Sequence, residues 1–415
     1  MLSMSPAPFD CGMTPDGDRV TPAARMTPPA PAAARRIGDI EVLRGIAVLF
    51  VILHHSHGNL IAWPSTVLDG VFGYSAFWAG VDLFFAISGF VIARSLLPVL
   101  ERCSDDDAYL RAVIAFWIRR AWRLLPSAWL WLALALVAAC AFNRSGAFGP
   151  VDANLATTVA ALANVENFRL ATIFGASPAG TSFVYWSLSL EEQFYILLPL
   201  AAFLLRRRLV WLAAGLVAVQ FCQSRGLILM MTRTDAILLG VLLAMWSRHR
   251  TYLLFEPTGL GNSRVAGPAL LAAALLGLAT LGSDRLGIVS IRVGLIAVIA
   301  AGLVFIASYD RDYLWPPGWT KRILMWVGSR SYGLYLIHVP VYFLTREIWY
   351  RLLPPGEALG PADTLHVTMT ALPLLFLLSE ANYRLVEAPL RRHGAAIAAR
   401  VAVPPGPEPL AAPSL

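Results

Sequence analysis

Ten apolar stretches, most of them about as long as a bilayer core demands, constrain this chain more than any other feature. A spanning helix needs roughly 20 mostly apolar residues. Candidates lie near 40–58, 79–98, 121–142, 184–204, 209–223, 231–247, 267–282, 288–308, 325–345 and 366–387. The shorter ones are expected to tilt or re-enter. Composition agrees: 57% of the 415 residues are hydrophobic, 14% are charged, and mean hydropathy is +0.63. A soluble chain carries about 25% charged residues. The polar material here is too scarce to cover a water-facing surface, so lipid is the main solvent. The expected fold class is all-α: a polytopic transmembrane helix bundle of about ten spans.

Residues 1–36 are rich in Pro, Ala, Thr and Met, and Thr27-Pro28-Pro29-Ala30-Pro31 cannot form a helix. A disordered cytosolic tail is expected there. The first apolar run begins too far along for a cleaved signal peptide, so it is expected to be an uncleaved anchor. The membrane domain is expected over 37–393, followed by a Pro/Ala-rich tail over 394–415. Arg and Lys in the loops set orientation. With the N-terminus in the cytosol, that side receives Arg35, Arg36, the Arg102/Arg111/Arg119 loop and Arg206-Arg207-Arg208. It also receives Arg248, Arg250, Arg264, Arg311, Lys321, Arg322, Arg391 and Arg392. The outer loops keep Arg144, Arg169, Arg225, Arg285 and Arg351. This alternation predicts an N-in/C-in protein of the bacterial cytoplasmic (inner) membrane. It also accounts for the net charge of +7 without nucleic acid as a partner. Cys11, Cys103, Cys140 and Cys222 form no CxxC pair, so neither a disulfide framework nor a zinc site is expected.

Ionisable residues inside spans are costly and mark function by default. The first span carries Arg44 near one end and His55 near the other. Eleven residues at 100° each bring both to within about 20° of one face, about 16 Å apart along the axis. That distance is comparable to an extended pantetheine arm. His54 and His57 read as interfacial histidines at the helix end; a metal site has no HExxH-type spacing to support it. Asp82 opens the second span, level with His55. It either orients the imidazole or caps its own helix N-terminus. Glu191 and Glu192 sit about two turns into the fourth span, where solvated surface does not explain them. Ser187, Glu191 and Tyr195 share a face at i, i+4, i+8. Asp235 and His338 lie toward the outer ends of their spans. Arg120 and Arg123 are i, i+3 neighbours at the cytosolic boundary. Ordinary positive-inside anchoring explains either alone; together with Arg44 they would make a phosphate clamp.

Taken together, these blocks resemble the acyltransferase-3 family of membrane acyltransferases, which includes O-antigen and exopolysaccharide O-acetyltransferases. The resemblance runs from Leu43-Arg44-Gly45 through Gly80-Val81-Asp82-Leu83-Phe84-Phe85 and Ser88-Gly89-Phe90. It continues in Trp186-Ser187-Leu188, Glu191-Glu192-Gln193-Phe194-Tyr195 and Arg233-Thr234-Asp235-Ala236. It ends in Ser331-Tyr332-Gly333-Leu334-Tyr335-Leu336-Ile337-His338 and Val386-Glu387-Ala388-Pro389-Leu390-Arg391-Arg392. Ala388 departs from the family, which usually has a larger or charged residue before this proline. The resemblance implies acyl-CoA, expected to be acetyl-CoA, as co-substrate, no metal, and a role for Arg44, His55, Arg120 and Arg123 in its use. Asp82 and Glu191 are implicated less specifically. Some members carry a C-terminal SGNH esterase-like domain. This chain is expected to work without one, or to hand the acyl group to another protein.

The expected mechanism places CoA phosphates on Arg44, Arg120 and Arg123. His55, oriented by Asp82 or Glu191, acts as base on a carbohydrate or glycolipid hydroxyl, or accepts the acyl group first. Glu192, Tyr195, Asp235, His338 and the 143–183 loop would support the acceptor site. The rival reading is a proton-coupled transporter or flippase, which also uses buried carboxylates and histidines. Membrane lipid is an expected partner; the sequence specifies neither a homo-oligomer nor a partner transferase.

Overall fold

The computed structural model describes residues 37–221, 223, 225–283, 285, 286 and 291–402. The expected tail over 1–36 (with Cys11, Arg35 and Arg36), Cys222, and the tail residues from 403 on lie outside the described residues. Among those described there is no β-strand. The chain runs through α1 (Gly38–His55), α2 (Thr66–Tyr74), α3 (Gly80–Glu101) and α4 (Asp106–Ala141). A hairpin of α5 (Val151–Leu162) and α6 (Glu166–Ile173) leads to α7 (Tyr185–Leu205) and α8 (Leu209–Phe221). Next come α9 (Leu227–Met231), α10 (Asp235–Trp246), α11 (Arg250–Leu254), α12 (Thr258–Gly261), α13 (Ala266–Gly282) and α14 (Arg292–Ala307). The last four are α15 (Trp319–Ser329), α16 (Ser331–Leu352), α17 (Thr364–Asn382) and α18 (Ala388–Ala402).

Helix occupies each of the ten apolar stretches, with three departures. The third stretch was expected to start near 121, but α4 begins at Asp106, where Asp105 caps it by accepting from Ala108 N at 2.7 Å. Its 36 residues reach about 54 Å, well beyond a hydrocarbon core of about 30 Å. Hydropathy missed this start because the first turns are charged. The stretch 325–345 is divided at Arg330 between α15 and α16. Helix α18 continues to Ala402, through residues assigned to the tail. Among the described residues four helical stretches are long and apolar enough to cross a membrane: Phe77–Glu101, Asp106–Ala141, Leu227–Trp246 and Pro361–Ala402. Helices α5, α13 and α14 are apolar but shorter.

Polar groups are distributed inside-out. Leu130, Leu134 and Val137 of α4 are exposed, whereas Asp82, Arg233, Asp235, His338 and Glu347 are buried. Helix α3 packs against α1, α7, α10 and α14. Its crossing with α10 depends on two glycines. A Cβ at Gly89 would lie 2.0 Å from the Ile237 carbonyl oxygen, and one at Gly240 2.2 Å from that of Ala86. Small residues admit this backbone contact, as in membrane helix pairs generally. On α7, Pro199 has no N–H and so frees the Tyr195 carbonyl. Trp117 Nε1 of α4 donates to that carbonyl at 3.0 Å, tying α4 to α7 beside the site described next.

Candidate active site

Five helices, α1, α3, α4, α7 and α16, wall a cleft of about 740 Å³, its mouth included. Arg44, Arg120 and Arg123 all line it, together with Ser88, Ser187, Glu191, Tyr195, Tyr332 and Tyr335. The guanidinium of Arg120 lies over the rings of Phe116 and Tyr195, at 5.7 and 5.3 Å. Among the described residues neither Arg120 nor Arg123 forms an ion pair with a carboxylate. Arg44 has only Glu41, one turn away at 3.6 Å. The Nε atoms of Arg44 and Arg123 are buried without a hydrogen-bond partner. Three cations converging on one cleft with so little compensation are costly unless an anion joins them. Phosphate oxygens, which accept from guanidinium forks, match that demand.

In the same cleft Glu191 accepts from the hydroxyls of Ser88 and Tyr195, whose ring Arg120 covers. The expected face of Ser187, Glu191 and Tyr195 therefore does point into one space. Glu192 turns away and lines a smaller cavity with Trp129, Asn164 and Tyr185; Leu124, Leu188, Glu191 and Tyr332 border both spaces.

His55 does not line the cleft. Its Nδ1 lies 3.0 Å from Nε2 of His338 on α16, and His338 Nδ1 lies 2.7 Å from the Tyr335 carbonyl oxygen. Phe183 packs edge-on against the His55 ring at 5.3 Å. Tyr335 links the two regions. Its ring lines the cleft and lies 5.7 Å from that of His338, and its hydroxyl is 2.5 Å from Ser187 Oγ. His54 stacks edge-on with His55, while His57 pairs with Asp69 at 2.9 Å.

Neither carboxylate expected to orient His55 does so. Asp82 is fully buried and accepts from Arg233 Nε and Nη2, at 2.8 and 2.9 Å. The Arg233 guanidinium is boxed by Trp78, Phe85 and Trp186. A buried carboxylate takes the cation that can fork both its oxygens, and the turn between α9 and α10 offers Arg233. Glu191 is held by Ser88 and Tyr195. Asp235, expected to support an acceptor site, is paired with Arg225 at 2.6 Å.

The family model for an acyltransferase domain matches residues 37–379, which include every one of these side chains. The chain belongs to the acyltransferase-3 family. Over 390 residues it is 28% identical to YrhL of Bacillus subtilis and 27% identical to the peptidoglycan O-acetyltransferase OatA of Listeria monocytogenes. It is 24% identical over 381 residues to the O-acetyltransferase OatA of Staphylococcus aureus. These alignments take in 86–87% of this chain and 56–58% of each relative, so the chain spans little more than half their length. No solved structure matches it.

Within this family member the residues sort into three groups: Arg44, Arg120, Arg123, Glu191 and Tyr195 on the cleft; His55 with His338; Asp82 and Asp235 in ion pairs with Arg233 and Arg225, which flank α9. The sequence reading missed Arg233, Tyr335 and Ser88. Arg233 stood in a family block, but Asp235 two residues on was as plausible a counter-charge as Asp82. Tyr335 and Ser88 stood in the family blocks, but nothing in the sequence gave them a role.

Proposed function

We propose that this protein moves an acyl group, acetyl in the first instance, from acyl-CoA to a carbohydrate hydroxyl. The observation that carries the reading is the convergence of three arginines, with two orphaned Nε donors, on one cleft. The CoA phosphates bind Arg44, Arg120 and Arg123. The pantetheine arm follows α1 toward His55, an interval of eleven residues or about 16 Å. Tyr335 stands on that route, so its ring must swing for the thioester to pass. His55 takes the proton of the acceptor hydroxyl. The oxygen attacks the thioester carbon, the carbon–sulfur bond breaks, and the thiolate takes the proton back from His55, leaving an ester and free CoA. The relatives named as O-acetyltransferases, one of them for peptidoglycan, support a carbohydrate acceptor. We also place about ten spans in a bacterial inner membrane, with N-in/C-in topology, on the distribution of Arg and Lys.

The decisive variant is His55→Ala. It should bind acetyl-CoA normally and lose about 10²–10⁴-fold in transfer. Radiolabel on the protein after incubation with labelled acetyl-CoA alone, absent in His55→Ala, would replace direct transfer with an acyl-histidine. Undiminished transfer by His55→Ala would remove the histidine from the chemistry.

A further inference from the structure

The two imidazoles fix more than their proximity. The Tyr335 carbonyl oxygen can only accept, so His338 Nδ1, at 2.7 Å from it, carries a hydrogen. In a neutral ring Nε2 is then bare. That Nε2 faces His55 Nδ1 at 3.0 Å and must accept from it. The hydrogen of His55 therefore sits on Nδ1, and its Nε2 keeps a free lone pair. The alternative is a doubly protonated His338. It would bury a cation whose ring neighbours are His55, Tyr335 and Tyr342, with no carboxylate bonded to it among the described residues. Such an uncompensated charge is expensive.

We infer that His338 is a positioning residue that selects the His55 tautomer with Nε2 open to the acceptor hydroxyl. This rests on the reading of His55 as the base. A carboxylate commonly does this work, and among the described residues none is bonded to either ring. A second imidazole takes its place, anchored through its far nitrogen to the main chain of α16. When His55 Nε2 gains the hydroxyl proton, the ring becomes a cation. Its Nδ1–H bond to His338 is then charge-assisted and stronger. The preference for the charged form is thereby supplied without a buried anion. His338 touches neither donor nor acceptor in this scheme.

The test compares His338→Ala with His338→Gln. Glutamine can place an amide oxygen where Nε2 stood and still accept from His55 Nδ1. Both variants should bind acetyl-CoA with wild-type affinity. His338→Ala should lower kcat by about 10–100-fold, comparable to the loss when the outer hydrogen-bond partner of a metal-bound histidine is removed, with KM little changed. His338→Gln should recover most of that loss. Nitrogen-15 NMR of histidine-labelled protein should show the His55 hydrogen on Nδ1 in wild type and His338→Gln, and mixed tautomers in His338→Ala. A His55 hydrogen on Nε2 in the wild type overturns the role. So does wild-type kcat in His338→Ala beside an inactive His55→Ala. Full activity in His55→Ala overturns the base reading itself, and this role with it.

Discussion

Asp82 shows why charge, burial and role need separating at the level of single residues. Its carboxylate and the Arg233 guanidinium are both buried and share two hydrogen bonds between α3 and the turn that precedes α10. Removing one partner of such a pair strands the other and costs about 3–5 kcal/mol. Asp82→Ala should therefore lower thermal stability in detergent markedly. The double variant Asp82→Leu/Arg233→Met removes both charges and should regain most of the stability and the transfer activity. A double variant that is stable yet inactive would return Asp82 to the chemistry. At this scale the sequence was readable where a signal is local. Arg120 and Arg123 at i, i+3 point the same way on any helix, and the cleft receives both. The partners of His55 and Asp82 were hidden, because they lie 283 and 151 positions away in the chain. Periodicity says which face a side chain takes, not what stands opposite.

Among the elements, the segment between α4 and α7 departs furthest from its sequence reading. It was expected as an outer loop, but α5 and α6 form a helical hairpin that packs on α4 and α7. Asn167 of α6 donates to Gln193 of α7 at 3.2 Å, and within α6 Arg169 pairs with the buried Glu166 at 2.8 Å. Val151, Leu155, Val159 and Leu162 leave one apolar face of α5 uncovered, as suits lipid contact. At 12 and 8 residues the two helices are too short to register as spans. The hairpin keeps its turn to α7 at Ser177, which is exposed. Cysteine labelling in a background without the four native cysteines tests the orientation of the helices. Ser177→Cys should react with an impermeant maleimide from outside intact cells, and Arg207→Cys only after permeabilisation. The reverse pattern would invert the bundle and the depth arguments with it.

In the whole molecule, five helices distant in sequence bring a cationic cleft and an imidazole pair to opposite ends of α1, with Tyr335 between them. The apolar pattern made the all-helical fold legible. The family blocks marked which helices matter, but not the Trp117 tie between α4 and α7 or the glycine crossing of α3 and α10, which depend on packing. What the arrangement claims is that the arginines hold the phosphates of CoA, not the acyl group. The sharpest measurement compares acetyl-CoA with an acetyl-pantetheine thioester lacking the CoA phosphates, as donors for purified wild type and Arg123→Ala. Wild type should strongly favour acetyl-CoA. Arg123→Ala should lose that preference by the equivalent of about 1.5–3 kcal/mol, one charged hydrogen-bonded contact, while its use of the truncated donor is unchanged. Equal losses with both donors, or no CoA release by the wild type, would contradict the account.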